Sequence, residues 1–216
     1  MRIVAGRLRH RRLLANPGSQ TRPMLDRAKV ILFDSLGARL QQTRVLDLYC
    51  GTGTLGFEAL SRGARSVVFC ERDPQAHALL CENARRLGVE GEVLCWHVDV
   101  TRCSLKPKGY ESWYPYDFVF VDPPYHQIQE HETASLLRLL EYRLCRPDVT
   151  SPRAELVLRW PRKTPLPTPL LGWTTVHTWD IASMHIIWLQ KQEPAPLDPT
   201  HLPPPFAPDP SSSPCH

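Results

Sequence analysis

The stretch DFVFVDPPYH, Asp117 to His126, runs four apolar side chains into an acid, two prolines and an aromatic ring. The prolines remove two backbone donors and stiffen the turn, which leaves carbonyl oxygens and the Asp122 carboxylate as acceptors where a strand ends. An exocyclic amine on a nucleobase is a poor nucleophile, because its lone pair is delocalised into the ring. If Asp122 and the Pro123 carbonyl each accept one N–H, that lone pair turns toward an electrophile held in line. Pro124 fixes the turn, and Tyr125 offers a ring for the base to stack on, a contact worth roughly 1–3 kcal/mol. Chemistry of this kind needs an unstacked or extruded base. No cysteine adjoins the prolines, so covalent attack on a ring carbon has no nucleophile there. Taken alone, Asp-Pro-Pro-Tyr is equally a turn that closes a buried strand.

A second group of residues supplies the electrophile. Asp47-Leu-Tyr-Cys-Gly51-Thr-Gly53-Thr-Leu-Gly56 follows an apolar run and leads into a helical pattern. Its glycines allow a tight turn at the carboxyl end of a strand, where open α/β sheets bind ligands. The spacing also fits the dinucleotide fingerprint, so a nicotinamide cofactor is a competing reading. Glu71 closes the next strand, where a carboxylate accepts ribose hydroxyls at about 1.5–3 kcal/mol per charged hydrogen bond. Asp47 inside the turn and Asp99 after the third strand favour S-adenosylmethionine, which carries an ammonium, a sulphonium and an adenine amine but no anionic pyrophosphate. The bland alternative is that Asp47 and Asp99 cap nearby helices or turns.

These residues need a scaffold, and the alternation of elements supplies one. The sequence predicts strands at 44–50, 66–71, 92–99, 117–122 and 154–160, with helices at 54–62, 74–87 and about 130–144 between them. A polar insertion fills 102–115. Continuous apolar strands separated by helices indicate a doubly wound α/β fold, a parallel sheet covered on both faces. TTVHTWDIA and MHIIWLQK read as a terminal hairpin, which makes the sheet mixed at one edge. Upstream, a helical stripe starts at Asp26, and residues 1–14 suit a hairpin or extended arm around Gly6.

Length and composition narrow the function further. The 216 residues, 42% hydrophobic, suit a single core. No apolar run reaches the ~20 residues of a membrane span, and the N-terminus has no apolar secretion signal, so the expected location is cytoplasmic. The seven cysteines form no C-x-x-C pair and sit mostly in strand patterns, which predicts core thiols and no metal site. The net charge of +4 is modest, but five arginines and a histidine fall within the first twelve residues. That cluster is the footprint expected of a phosphate-rich partner, although a solvated basic terminus would look the same. The organisation expected is a basic arm and helix over 1–42, belonging to the same domain as a catalytic region at 43–191. A proline-rich disordered tail follows at 192–216.

Five ordered blocks resemble the bacterial small-subunit ribosomal RNA guanine-N2 methyltransferases of the RsmD type: MRIVAGRLRHRRL, TRPMLDRAKVILFDSL, DLYCGTGTLGFEALSRGA, ERDPQAHALLCENARRLG and FVFVDPPY. The resemblance implies a class I methyltransferase fold and methylation of one guanine's exocyclic amine. It implies S-adenosylmethionine against Asp47, Gly51 and Gly53, with Glu71 at the ribose and Asp99 near the adenine. It also assigns Asp122, Pro123 and Tyr125 to the base, and the basic N-terminus (Arg2, Arg7, Arg9, Arg11, Arg12), with Arg22 and Arg27, to RNA. The partner is then ribosomal RNA or the small subunit, and the enzyme a monomer. The chain departs from the family pattern at Ala5, where a second glycine is usual, and at Ala28-Lys29-Val30, where Val-Arg-Glu is usual. Other acceptors compatible with the residues are adenine in DNA and a glutamine side chain, and a noncatalytic RNA-binding module is the reading from a different class.

Overall fold

The computed structural model of the chain describes residues 1–15, 24, 26–124, 128, 130–165 and 169–192, with the backbone alone at 130–132. Arg22, Tyr125 and the tail from 193 onward, all named above, lie outside the described residues. The elements in chain order are α1 (Asp26–Leu36), β1 (Arg44–Leu48), α2 (Thr54–Ser61), β2 (Ser66–Glu71), α3 (Pro74–Leu87), β3 (Val93–His97), β4 (Tyr116–Val121), α4 (Glu130–Arg138), β5 (Thr150–Pro161), β6 (Trp173–Ile181) and β7 (Met184–Lys191). They build one seven-stranded sheet in the order β3-β2-β1-β4-β5-β7-β6. β1 to β5 pair in parallel, and β7 joins β5 and β6 antiparallel, so the sheet is mixed at the edge that the hairpin pattern indicates.

The central strands are buried on both faces because helices cover both. One apolar cluster joins Phe33, Phe57, Phe69 and Leu80 from α1, α2, β2 and α3 to Phe118 and Phe120 of β4. The other joins Leu46, Leu48, Val119 and Val121 to Leu136 and Leu139, under α4, and to Leu105 of the 102–115 insertion. That insertion is anchored rather than loose: the Tyr116 hydroxyl donates to the Leu105 carbonyl at 2.9 Å.

Local chemistry sets the helix ends. α3 starts where the Asp73 carboxylate accepts the Gln75 N–H and Pro74 fills the first turn, and it stops at Gly88 with φ +70°. α2 begins at Gly53, φ +87°, which has no side chain to cap it. The cap comes instead from β1, where Asp47 Oδ2 accepts the Gly56 N–H at 2.8 Å. The helix predicted over 130–144 is α-helical only to Arg138 and continues as one π-helical turn, Leu139–Arg143. The Trp173 indole N–H takes the Leu140 carbonyl at 2.7 Å, and the Leu144 N–H bonds to Leu139 instead.

Residues 1–14 form the predicted hairpin-like arm, closed by a bridge between Arg2 and Arg12, and it lies against α2. The fully buried Glu58 carboxylate accepts the N–H groups of Val4 (2.7 Å) and Ala5 (3.1 Å), while Ser61 accepts from Arg7 and Leu8. Gly6, at φ +79°, is obligatory in this seat because a Cβ there would lie 1.9 Å from the Ser61 carbonyl oxygen. Lys29, one of the departures from the family pattern, is buried. Its ammonium bonds to the Arg2 carbonyl at 2.6 Å and to Asp26 at 3.0 Å, so it fastens the arm to α1.

Candidate active site

The strand order reverses between β1 and β4, and the carboxyl ends of those strands flank the crevice that such a reversal opens. Asp47 lies on β1, Glu71 ends β2, and Asp122 follows β4, its N–H directed at the Leu48 carbonyl at 3.4 Å. A cleft of about 220 Å³ lies at this end of the sheet, lined by Tyr49, Arg72, Asp99, Thr101, Arg102, Pro123, Ser135 and Leu136. It therefore joins Asp99, read as a cofactor residue, to Pro123, read as part of the base-binding turn. Asp122, one residue before Pro123, is close enough to Asp47 for the two charges to repel.

The carboxylates differ in their remaining capacity. Glu71 accepts the Gly51 N–H at 2.8 Å with one oxygen and the Asp73 N–H at 2.7 Å with the other, which leaves one lone pair on each for a ligand. Asp99 Oδ1 is committed to the Thr101 N–H and hydroxyl, whereas Oδ2 has the long 3.8 Å pairing with Arg72. Burial pushes the Asp99 carboxyl up, but the Thr101 donors and the Arg72 charge outweigh it and hold it below the ordinary carboxylate range. Asp47 is the reverse case. Burial drives it well above that range, the Gly56 N–H offsets part of the rise, and the Asp122 and Glu71 charges add to it. The capping role that the sequence set against cofactor binding is thus real for both acids: Asp47 caps α2, and Asp99 closes a turn.

Asp47 has capacity beyond its cap. Its Oδ1 is buried without a hydrogen-bond partner, as is the Thr52 hydroxyl in the same turn. An orphaned acceptor beside a glycine turn costs about 1–3 kcal/mol unless a donor reaches it. The two glycines assigned to the cofactor differ as well. A Cβ on Gly51, φ +56°, would meet nothing within 4 Å, so that backbone faces open space. On Gly53 it would lie 2.6 Å from Leu80 and Phe57, so that glycine is required by the core. A carboxylate-rich rim, an open glycine and an acceptor lacking its donor fit a cationic, ribose-bearing cofactor such as S-adenosylmethionine.

One partner in the site was not anticipated. Asp122, expected to reserve its oxygens for the base, is held by Arg159 of β5, whose Nη1 lies 2.9 and 3.2 Å from the two carboxylate oxygens. Burial raises the Asp122 carboxyl above its ordinary range, and the Arg159 charge pulls it partly back. Tyr49, Arg72 and Arg102 were also missed as cleft residues. The signal available for Tyr49 was an aromatic side chain inside the glycine turn.

The arginines assigned to RNA fall into two groups. Arg2 pairs with Asp26 (2.9 Å), Arg7 with Glu92 (2.6 Å), and Arg11 donates to the Arg86 carbonyl, so these three secure the arm. Arg9, Arg12 and Arg27 are exposed and make no ion pair with another described residue. Among the described residues no cluster of three His, Cys, Asp or Glu side chains is placed to hold a metal ion, and no helix is long and apolar enough to cross a membrane.

Comparison with known proteins bears on the fold and the family. Residues 1–190 match the family model described as Conserved hypothetical protein 95. The chain is similar to ribosomal RNA small subunit methyltransferase D of Haemophilus influenzae, with 34% identity over 176 residues, 81% of this chain and 85% of the relative. The protein of the same name from Escherichia coli is 33% identical over 63% of this chain and 66% of its own length. Among solved structures, the Escherichia coli protein yhhF superposes with a TM-score of 0.74 at 26% identity, covering 90% of this chain and 99% of that one. An RNA methyltransferase from Salinibacter ruber, solved with S-adenosyl-L-homocysteine, shares the fold at a TM-score of 0.54 and 19% identity, over 82% and 98% of the two chains.

Proposed function

The chain belongs to the family of ribosomal RNA small subunit methyltransferase D, and from that premise we propose that it transfers a methyl group from S-adenosylmethionine to the exocyclic N2 amine of one guanine in small-subunit ribosomal RNA. The observation that supports this most is the meeting of two acid sets at one cleft. Asp99 and Pro123 line that cleft together, and Asp47 lies close enough to Asp122 and Glu71 to feel the charge of both.

In this reading Asp47, the open backbone at Gly51 and neighbouring Gly53, Glu71 and Asp99 hold the cofactor, which supplies an electrophilic methyl on a sulphonium. Asp47 Oδ1 receives the donor it lacks, and the free lone pairs of Glu71 receive ribose hydroxyls. The Asp122 carboxylate and the Pro123 carbonyl accept the two N–H groups of the guanine amine, which directs the nitrogen lone pair at the methyl. The amine nitrogen would take positive charge as its bond to the methyl carbon forms and the carbon–sulphur bond breaks, leaving neutral S-adenosylhomocysteine, and it would shed one proton along its hydrogen bond to Asp122 and on to water. Pro124 keeps the turn rigid, and Tyr125 stacks on the extruded base. Arg9, Arg12, Arg22 and Arg27 meet phosphates, while Arg2, Arg7 and Arg11 keep the arm in register. The protein acts as a cytoplasmic monomer.

The test is transfer of tritiated methyl groups to small ribosomal subunits, naked ribosomal RNA, DNA and a protein fraction, followed by nucleoside mass spectrometry. Label is expected in N2-methylguanosine from the RNA arms. Asp122→Ala lowers turnover by roughly 10²–10⁴ while leaving S-adenosylhomocysteine affinity nearly unchanged. Label in DNA or protein instead, or equal turnover by parent and variant, refutes the proposal.

A further inference from the structure

Arg159 lies on β5 one residue past Leu158, which pairs with Val121, so its side chain comes up beside Asp122 where β4 ends. It is 8% exposed. A guanidinium that far from water is costly unless a carboxylate compensates it, and truncating one partner leaves the other charge stranded. Here one nitrogen, Nη1, reaches both Asp122 oxygens, at 2.9 and 3.2 Å. Such a contact spends one lone pair of each oxygen and fixes the plane of the carboxylate, and the second lone pairs stay available to a substrate.

The surroundings of Asp122 are otherwise unfavourable to a charge. Burial opposes ionisation, and on the β1 side Asp47 feels the repulsion of both Asp122 and Glu71. On the β7 side, His185 pairs with Asp180. Among the described residues Arg159 is the cation that meets Asp122. Protonation would reverse the function of this carboxyl. A carboxylate accepts from an amine, whereas a carboxylic acid presents an O–H donor to a group that is itself donating, and one acceptor for the guanine N–H groups is lost.

We propose that Arg159 is a positioning residue for methyl transfer: its guanidinium keeps Asp122 charged and holds its two oxygens in the orientation that accepts the substrate amine. This rests on the function proposed above, and it adds a residue that never has to touch the base. The role differs from that of a plain structural ion pair, because it makes the acid limb of activity depend on Arg159.

The experiment uses the full chain and small ribosomal subunits, and follows kcat/KM against pH for the parent, Arg159→Gln and Arg159→Lys. In parallel, the Asp122 carboxyl is titrated by carbon-13 NMR in protein labelled at aspartate, with Asp122→Asn identifying the resonance. Removing a close positive charge raises a carboxyl by about one unit or more. Arg159→Gln is therefore expected to move both the NMR midpoint and the acid limb upward by about that amount, with activity recovering toward the parent's at high pH. Arg159→Lys is expected to keep the limb near the parent's, and S-adenosylhomocysteine affinity should stay within about twofold throughout. If Arg159→Gln does not fold, Arg159→Met, which keeps the apolar stem, carries the same comparison. A uniform fall in activity at every pH with an unmoved Asp122 midpoint overturns the proposal. If the parent methylates no ribosomal subunit, the proposed function fails on its own account, and the NMR midpoint still decides whether Arg159 governs the charge of Asp122.

Discussion

Glu58→Gln tests whether the arm is held by one buried carboxylate. Glu58 has no exposed surface, and its two oxygens receive Val4 N–H at 2.7 Å, Ala5 N–H at 3.1 Å and Arg62 Nε at 2.8 Å. A glutamine has the same shape but only one acceptor atom. Its best placement puts oxygen toward Ala5 and Arg62 and turns the amide NH₂ toward the Val4 N–H, so that two donors face each other. One charge-assisted bond worth about 1.5–3 kcal/mol is lost, and a part-buried N–H is left unsatisfied. Arg62 keeps its exposed pairing with Asp34, so its own loss is small. The sum is about 2–4 kcal/mol. For a chain of this length that corresponds to roughly 4–16 °C in Tm, since 1 kcal/mol shifts a 150–250-residue domain by about 2–4 °C. Urea denaturation gives the free energy directly, and limited trypsin digestion shows whether cleavage at Arg7 to Arg12 accelerates. Affinity for small-subunit RNA should fall while that for S-adenosylhomocysteine holds. A loss below about 0.5 kcal/mol with an unchanged digestion pattern would refute the assignment of Glu58 as the seat of the arm.

Three other predictions address the site and the RNA contact. Asp47 is pushed up by burial and by its neighbouring carboxylates, and a cationic cofactor favours its charged form, so binding should release protons and strengthen as pH rises. Calorimetry in buffers of different ionisation enthalpy measures that release, and a heat independent of buffer would count against it. Gly51→Ala should cost only about 1–2 kcal/mol of left-handed strain yet weaken cofactor binding, whereas Gly53→Ala also drives a methyl into Leu80 and Phe57 and should lower Tm by a larger amount; equal Tm losses would remove the distinction. Replacing Arg9 and Arg12 together by glutamine should reduce the salt slope of RNA binding by about 1.4–1.8 without altering Tm, read from affinity against salt concentration. An unchanged slope would place the RNA elsewhere.

Most of the scaffold was legible because each central strand is a short apolar run buried on both faces, so type and order follow from hydrophobicity. Asp122, Glu71 and Asp99 stand out in the sequence for a related reason: each is an acid placed at or just past the point where an apolar run stops. What escaped depends on partners distant in sequence. Arg159 sits within AELVLRW, a strand pattern in which a lone arginine reads as a snorkelling or edge residue, and only the pairing of β4 with β5 reveals the Asp122 opposite it. Glu58 occupies an ordinary-looking helical position, and its purpose appears once residues 4 and 5 are laid against α2. The helical pattern over 130–144 ran too far because nothing local announces that Trp173 will take the Leu140 carbonyl. Sequence assigned all the amino-terminal arginines to RNA, since charge density does not distinguish a cation paired with Glu92 or Asp26 from one left in solvent.

The seat of the arm also constrains when it can form. The contacts of residues 4 to 8 with Glu58 and Ser61 span 53 to 56 positions. Loop closure over that span is costly until α2 exists to repay it. During synthesis the arginine-rich arm leaves the ribosome before α2 does and has nowhere to dock until residue 61 has followed it out. For that interval a basic, unanchored peptide emerges next to ribosomal RNA, and only completion of the helix converts it from a free polycation into a folded edge of the protein.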